Sequence, residues 1–186
     1  MSKIDLRVAK TLHLIDATCY ELLTTTSFDK LTVAQICQQA QLGRSTFYQH
    51  YLDKYDWLEQ QVDHYTTQFE QIMQQRRQTL MADDSLTQLV TALLPARAQL
   101  LILWELHLPT ADLIKNYRQI LAETLPQYLH QAKLSLSVPI PYLQQLYATN
   151  ALTYIQYSVV HGLDAQISAF MNQNFKLVLQ GKAKLT

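Results

Sequence analysis

Apolar residues recur at helical spacing from the start of the chain. Val8, Leu12, Ile15, Cys19 and Leu22 fall three or four apart and draw one stripe along a helix from about Asp5 to Thr24. Arg7, Lys10 and Glu21 occupy the other side. After Phe28 the pattern shortens. Thr32 suits an N-cap, Gln35 suits the residue that returns the cap's bond, and Leu31 is placed to staple onto Ile36, which predicts a short helix from Val33 to about Ala40. Gln41, Leu42 and Gly43 then separate it from a second short helix, Arg44 to His50, with Gly43 as N-cap. Asp53 and Asp56 stand at the N-cap and third position of a longer helix reaching about Leu80, with Leu52 and Trp57 as its staple.

Further along, Leu86, Leu89, Val90 and Leu93 read as helix until Pro95, which is expected to end or kink it, as are Pro109 and Pro126. Ser135 to Pro141 (SLSVPIP) is the best loop of the second half. Two helices follow, about Tyr142 to Val160 and Asp164 to Gln180, parted at His161 and Gly162. The fold class is therefore all-α: a small N-terminal helical domain over residues 1–58 and a helical body over 59–186.

Composition narrows the chemistry. Only three glycines occur in 186 residues, so the closely spaced glycines of GxGxxG or GxxxxGK phosphate loops are absent. HExxH, GxSxG and CxxC are absent too, and no enzyme is expected. Cys19 and Cys37 are too few for a disulfide framework and lack zinc-ligand spacing. His64, His107, His130 and His161 have no partners in a recognised ligand pattern, so neither a metal nor another cofactor is expected. The N-terminus has no apolar leader, and the apolar run Leu100 to Trp104 is bounded by Arg97 and Glu105, so the expectation is a cytoplasmic protein with no membrane partner. The formal net charge of zero gives no support of its own to nucleic-acid binding.

The spacing of the short helices gives that support instead. Two short helices, a tight turn and a capped long helix form the layout of a helix-turn-helix whose second member enters the major groove of DNA. In the second helix Phe47 and Tyr51 share a core-facing side, while Ser45, Tyr48 and Gln49 share a polar and aromatic one. Arg44 suits guanine or phosphate, Gln49 suits adenine, and the hydroxyls of Ser45, Thr46 and Tyr48 suit phosphates or base edges. His50 adds a donor. Thr32 and Lys54, each at the start of a helix, suit phosphate.

The segment LTVAQICQQAQLGRSTFYQHYLDKYDWL resembles the DNA-binding segment of the TetR family, and the likeness covers Ser27 to Leu58. It departs from the family's pattern at Gln41, where glycine is frequent, and at Gly43, where serine or threonine is frequent. The resemblance assigns DNA contacts to Thr32, Arg44, Ser45, Thr46, Tyr48, Gln49, His50 and Lys54. It implies a homodimer on double-stranded operator DNA, and a helical body for effector binding and dimerisation. Apolar stripes suited to a bundle between two subunits are Leu146, Ala151, Ile155 and Val159, then Ile167, Met171 and Phe175. Trp104, His107, Tyr117 and Tyr154 are the candidates to line an effector pocket, against ordinary packing as the alternative. Pro141 to Gly162 is weakly similar to the C-terminal domain of regulators of dihydroxyacetone kinase genes, departing from it at Ser158, where tryptophan is common. The expected function is a TetR-type repressor released from its operator by a small-molecule effector; the alternative is an activator, or a regulator controlled by a protein partner.

Overall fold

In the computed structural model the described residues are 3–76, 85–131 and 138–179. They form α1 (Lys3–Leu23), α2 (Val33–Gln39), α3 (Arg44–Tyr48), α4 (Lys54–Arg76), α5 (Ser85–Leu93), α6 (Arg97–Leu103), α7 (Leu113–Gln131), α8 (Ile140–His161) and α9 (Ala165–Leu179). The fold is all-α, as the spacing of apolar positions predicts. Its one β-like feature among the described residues is an isolated bridge between His107 and Asp112.

The chain divides into two compact units, Met1–His64 with Ile102–Asp112, and Tyr65–Leu101 with Leu113–Thr186. The sequence reading set the boundary after residue 58; in the structure the division falls further along α4, and a second stretch of chain returns to the first unit.

Within the first unit α1 packs on α2, and α2 on α3. Ile15, Cys19, Leu31, Ile36, Phe47 and Trp57 are all buried. The stripe of α1 does not hold along its whole length, since Val8 is 40% exposed. A 3-10 turn at Phe28–Lys30 follows α1 and buries Phe28.

The second unit is organised around α7 and α8, with α5 against both α8 and α9. Phe69 of α4 stacks on Tyr117 of α7 at 3.8 Å between ring centres and 11° between planes, a pairing that adds roughly 0.5–1.5 kcal/mol to the area it buries. Buried Arg76, at the end of α4, donates through Nε to the Ser85 carbonyl and hydroxyl at 3.1 and 2.8 Å, and through Nη1 to the Tyr147 hydroxyl at 3.4 Å. It thereby joins α4 to α5 and α8.

The prolines act differently from one another. Pro95 ends α5 and begins a 3-10 turn, Leu94–Ala96, before α6. Pro126, expected to end or kink its helix, lies inside α7, which does not end there. A proline there leaves the carbonyl four residues earlier without its helical donor, and the side-chain amide of Gln144 on α8 takes that carbonyl, Ala122 O, at 3.1 Å. α8 begins at Ile140, earlier than expected, because Pro141 falls in its first turn, where the missing N–H costs nothing. Gly162 ends the helix at φ +90°, and Asp164 caps α9 by accepting from the N–H groups of Gln166 and Ile167 at 2.8 and 3.0 Å.

By length and apolar content alone, Ser85–Leu103 reaches the threshold of a membrane span, with a mean hydropathy of 1.5. The stretch is two helices on either side of a 3-10 turn, with Arg97 in its middle, and it is not a convincing span.

Candidate nucleic-acid interface

α2 starts on a complete capping box. The Thr32 hydroxyl accepts from the Gln35 N–H at 3.2 Å, and the Gln35 side chain accepts from the Thr32 N–H at 2.9 Å and from its hydroxyl at 2.8 Å. α2 ends on a Schellman motif. Gln41 stands at φ +52°, its N–H donates to Gln38 O at 3.3 Å, and the Leu42 N–H donates to Cys37 O at 2.9 Å. This is the position where the family often has glycine, and here glutamine accepts the left-handed conformation. Gly43 is the N-cap of α3 at an ordinary extended φ of −69°.

The turn delivers α3 with one face inward. Phe47 is fully buried and meets the ring of Tyr51 at 5.6 Å. Tyr48 is 55% exposed and sets its ring edge-on to Phe47 at 5.7 Å, so the phenol is held while its far side is open to solvent. Arg44, Ser45 and Gln49 are exposed beside it, and Thr46 and His50 are half-buried. No acidic residue occurs between Lys30 and Asp53, so nothing of like charge to phosphate stands on this segment.

Two expected site residues prove to hold the unit together. Thr32 is exposed, but its hydroxyl is engaged on both sides by the capping box. Lys54, read from the sequence as a phosphate ligand, donates Nζ to the carbonyls of Phe28, Asp29 and Leu31 at 2.8, 2.9 and 3.0 Å. It also lies 5.0 and 5.2 Å from the ring centres of Phe28 and Tyr55. An ammonium has three N–H donors, and all three are spent on the 3-10 turn and its exit.

The staple expected before α4 is not made, since Trp57 is buried and Leu52 is 80% exposed. The reason is a shift of one residue: Asp56 accepts from the Leu52 N–H at 2.7 Å instead of from the N-cap N–H, which turns Leu52 outward. Asp53 does cap the helix, accepting from the N–H groups of Tyr55 and Asp56.

A carboxylate that sequence reading passed over ties α1 to this segment. Asp16 Oδ1 accepts from the Tyr51 hydroxyl at 2.9 Å, Trp57 Nε1 at 3.0 Å and Gln61 Nε2 at 3.2 Å, and Gln61 in turn accepts from Tyr20. Burial, and then the Asp16 charge, push the Tyr51 phenol up from its ordinary value. Burial likewise raises the Cys19 thiol, with Asp16 and Cys37 adding to it. The Cys37 thiol is raised by burial too, against the opposing effect of Arg44. Both thiols are free and buried, which disfavours the reactive thiolate.

No family model and no curated protein matches the chain in sequence. Among solved structures, it resembles the transcriptional regulator FadR from Bacillus subtilis, crystallised with stearoyl-CoA, with a TM-score of 0.63 over 91% of this chain and 98% of that one, at 16% identity. It also resembles a gamma-butyrolactone receptor, an ArpA-like protein, with a TM-score of 0.52 over 93% of this chain and 99% of that one, at 13% identity. The fold is that of a TetR-type regulator. At these identities the likeness establishes the fold.

The remaining candidates are distributed unevenly over the two units. Trp104 is buried, and His107 is exposed with its Nδ1 3.1 Å from the Asp112 carboxylate; both belong to the first unit. Tyr117 and Tyr154 are buried in the second, Tyr117 stacked on Phe69 with its phenol raised by burial, Tyr154 bonded to Ser168 at 2.7 Å. No group of His, Cys, Asp and Glu that could hold a metal ion occurs among the described residues. On α8, Ala151, Ile155 and Val159 are consumed by the chain's own core, and Leu146 is half-buried. Ile167 and Met171 are half-buried on α9, and the side chain of Phe175 lies outside the described residues. Among the described residues, the large apolar side chains these helices leave exposed are Ile140, Tyr142, Tyr157, Val160 and Phe170, with Leu163 between the helices.

Proposed function

We propose that the chain is a homodimeric transcriptional regulator that binds operator DNA through α3 and acts as a repressor released by a small-molecule effector in its helical body. The observation that carries this reading is the face of Arg44, Ser45, Tyr48 and Gln49, exposed together on a short helix whose other side is locked by Phe47. Arg44 and Gln49 are the residues that discriminate guanine and adenine by paired hydrogen bonds, and the hydroxyls and His50 supply backbone contacts.

Lys54 and Thr32 support the interface from behind instead of meeting phosphate through their side chains. A two-fold dimer sets two such helices about 34–36 Å apart, one turn of DNA. Tyr157, Val160, Leu163 and Phe170 supply exposed apolar surface of the kind that pairs helices between subunits. A ligand in the body acts on DNA affinity only by binding one spacing better than the other.

A gel-shift of the purified protein against DNA from immediately upstream of its own gene tests this reading. The expected result is a discrete complex that survives competitor DNA and weakens with salt. Nonspecific binding alone, there and in a genome-wide selection, would overturn it.

A further inference from the structure

The second unit contains a groove of about 460 Å³, within the range of small-molecule sites. One wall is a single stripe of α4: Tyr65, Gln68, Gln71 and Gln75, with Ile72 among them. Their spacing of three and four puts these side chains on one helix face. The opposite wall is the end of α5, the 3-10 turn and the start of α6, contributing Ala92, Pro95, Ala96 and Gln99. The lining contains no Asp, Glu, Lys, Arg or His.

Charges near it in sequence are committed elsewhere. Arg97 donates to the Val159 and Val160 carbonyls at 2.7 and 2.9 Å, and Glu70 faces a separate cavity of about 190 Å³ with Glu123. Among the described residues the side-chain amides of Gln71, Gln75 and Gln99 make no hydrogen bond.

Three primary amides around one groove offer both N–H donors and carbonyl acceptors, with apolar surface from Ile72, Ala92 and Pro95 between them. An anionic ligand would lose hydration there without gaining a cation in return. An uncharged ligand with its own amide, carbonyl or hydroxyl group exchanges water bonds for glutamine bonds and buries its alkyl part. We infer that this groove is the effector site and that its ligand is an uncharged, hydrogen-bonding molecule with a short apolar portion. The inference rests on the regulator reading above, and it assigns the site to residues other than Trp104, His107, Tyr117 and Tyr154.

The test uses three probes of one chain length, octanamide, octanoate and octyl phosphate, titrated into isotope-labelled full-length protein while the side-chain amide resonances of Gln71, Gln75 and Gln99 are followed. Octanamide is expected to shift them saturably, and to bind at least roughly tenfold tighter than either anion. The double variant Gln71→Leu/Gln75→Leu, at exposed positions where leucine keeps helix propensity, is expected to melt as the parent does and bind octanamide roughly tenfold more weakly. Silent resonances with octanamide, or tighter binding of an anion, would overturn the inference. A gel-shift with each probe separates the two readings. A specific DNA complex with a silent groove sinks only the groove; a responding groove in a protein that forms no specific DNA complex sinks only the regulator reading.

Discussion

The Tyr51 hydroxyl donates to the Asp16 carboxylate at 2.9 Å, tying the residue just beyond α3 to the middle of α1. Trp57 and Gln61 converge on the same oxygen, so three donors, one just beyond α3 and two on α4, depend on one acceptor. Removing that acceptor strands them, whereas removing one donor leaves two bonds standing. Asp16→Ala is therefore expected to cost on the order of 2–4 kcal/mol and Tyr51→Phe about 1 kcal/mol. Urea unfolding followed by tryptophan fluorescence measures both.

Lys54 and Arg44 are both cations of the first unit, but Lys54 is spent on three carbonyls and Arg44 is exposed. Lys54→Met, which orphans three carbonyls, is expected to lower stability by about 1–3 kcal/mol and to leave the salt dependence of DNA binding unchanged in the folded fraction. Arg44→Ala is expected to leave stability unchanged and to weaken specific operator binding by roughly tenfold or more, since a paired guanine contact is worth about 1–3 kcal/mol. Thermal melts and binding isotherms at several salt concentrations separate the two.

Gln41 holds a φ of +52° that glycine adopts freely. Gln41→Gly is expected to raise stability by roughly 1 kcal/mol, the relief of strain exceeding the added freedom of the unfolded chain. Gln41→Val is expected to lower it, because a β-branched side chain fits this conformation worst. Paired thermal melts of the two variants check the sign.

Much of the local geometry from Thr32 to Tyr51 was legible because its signals are local. The Thr32–Gln35 box, the Gly43 cap and the inward Phe47 depend on residues within one turn of each other, and the sequence order alone places them. Asp16 was not legible: its partners lie 35 to 45 residues away, and a lone carboxylate on a helix reads as solvated. The bonds of Lys54 were not legible either, because an ammonium in a first turn suits a phosphate or a cluster of carbonyls equally, and the carbonyls come from the 3-10 turn at Phe28. That α7 continues past Pro126 was not legible either, because the donor to the freed carbonyl, Gln144, comes from another helix. On α8 both the buried stripe of Ala151, Ile155 and Val159 and the exposed positions Tyr157 and Val160 are apolar, so periodicity cannot say which stripe is the chain's own core.

Buried phenols and thiols set the alkaline limit of the fold. Tyr51, Tyr117 and Cys19 are all raised by burial above ordinary values of 10.0 for the phenols and 9.0 for the thiol. In the folded protein they keep their protons past the pH at which the unfolded chain loses them. The stability linked to those protons is whole below about pH 9 and is lost as pH climbs from there, first through the thiol and then through the phenols. Urea midpoints measured from neutral to strongly alkaline pH are expected to stay level and then fall, with tyrosinate absorbance of the buried rings appearing only on unfolding.

The most direct test of the account is operator affinity after removal of the two side chains at the centre of the α3 face. A duplex selected from a random pool by the parent protein is titrated with the parent and with Tyr48→Ala/Gln49→Ala, whose exposed positions leave the Phe47 core intact. The account expects a two-fold symmetric site, an unchanged melt and a loss of affinity of roughly hundredfold or more in the variant. A variant that binds the selected site as tightly as the parent, or a pool from which no sequence emerges, would contradict the assignment of α3 as the surface that reads DNA.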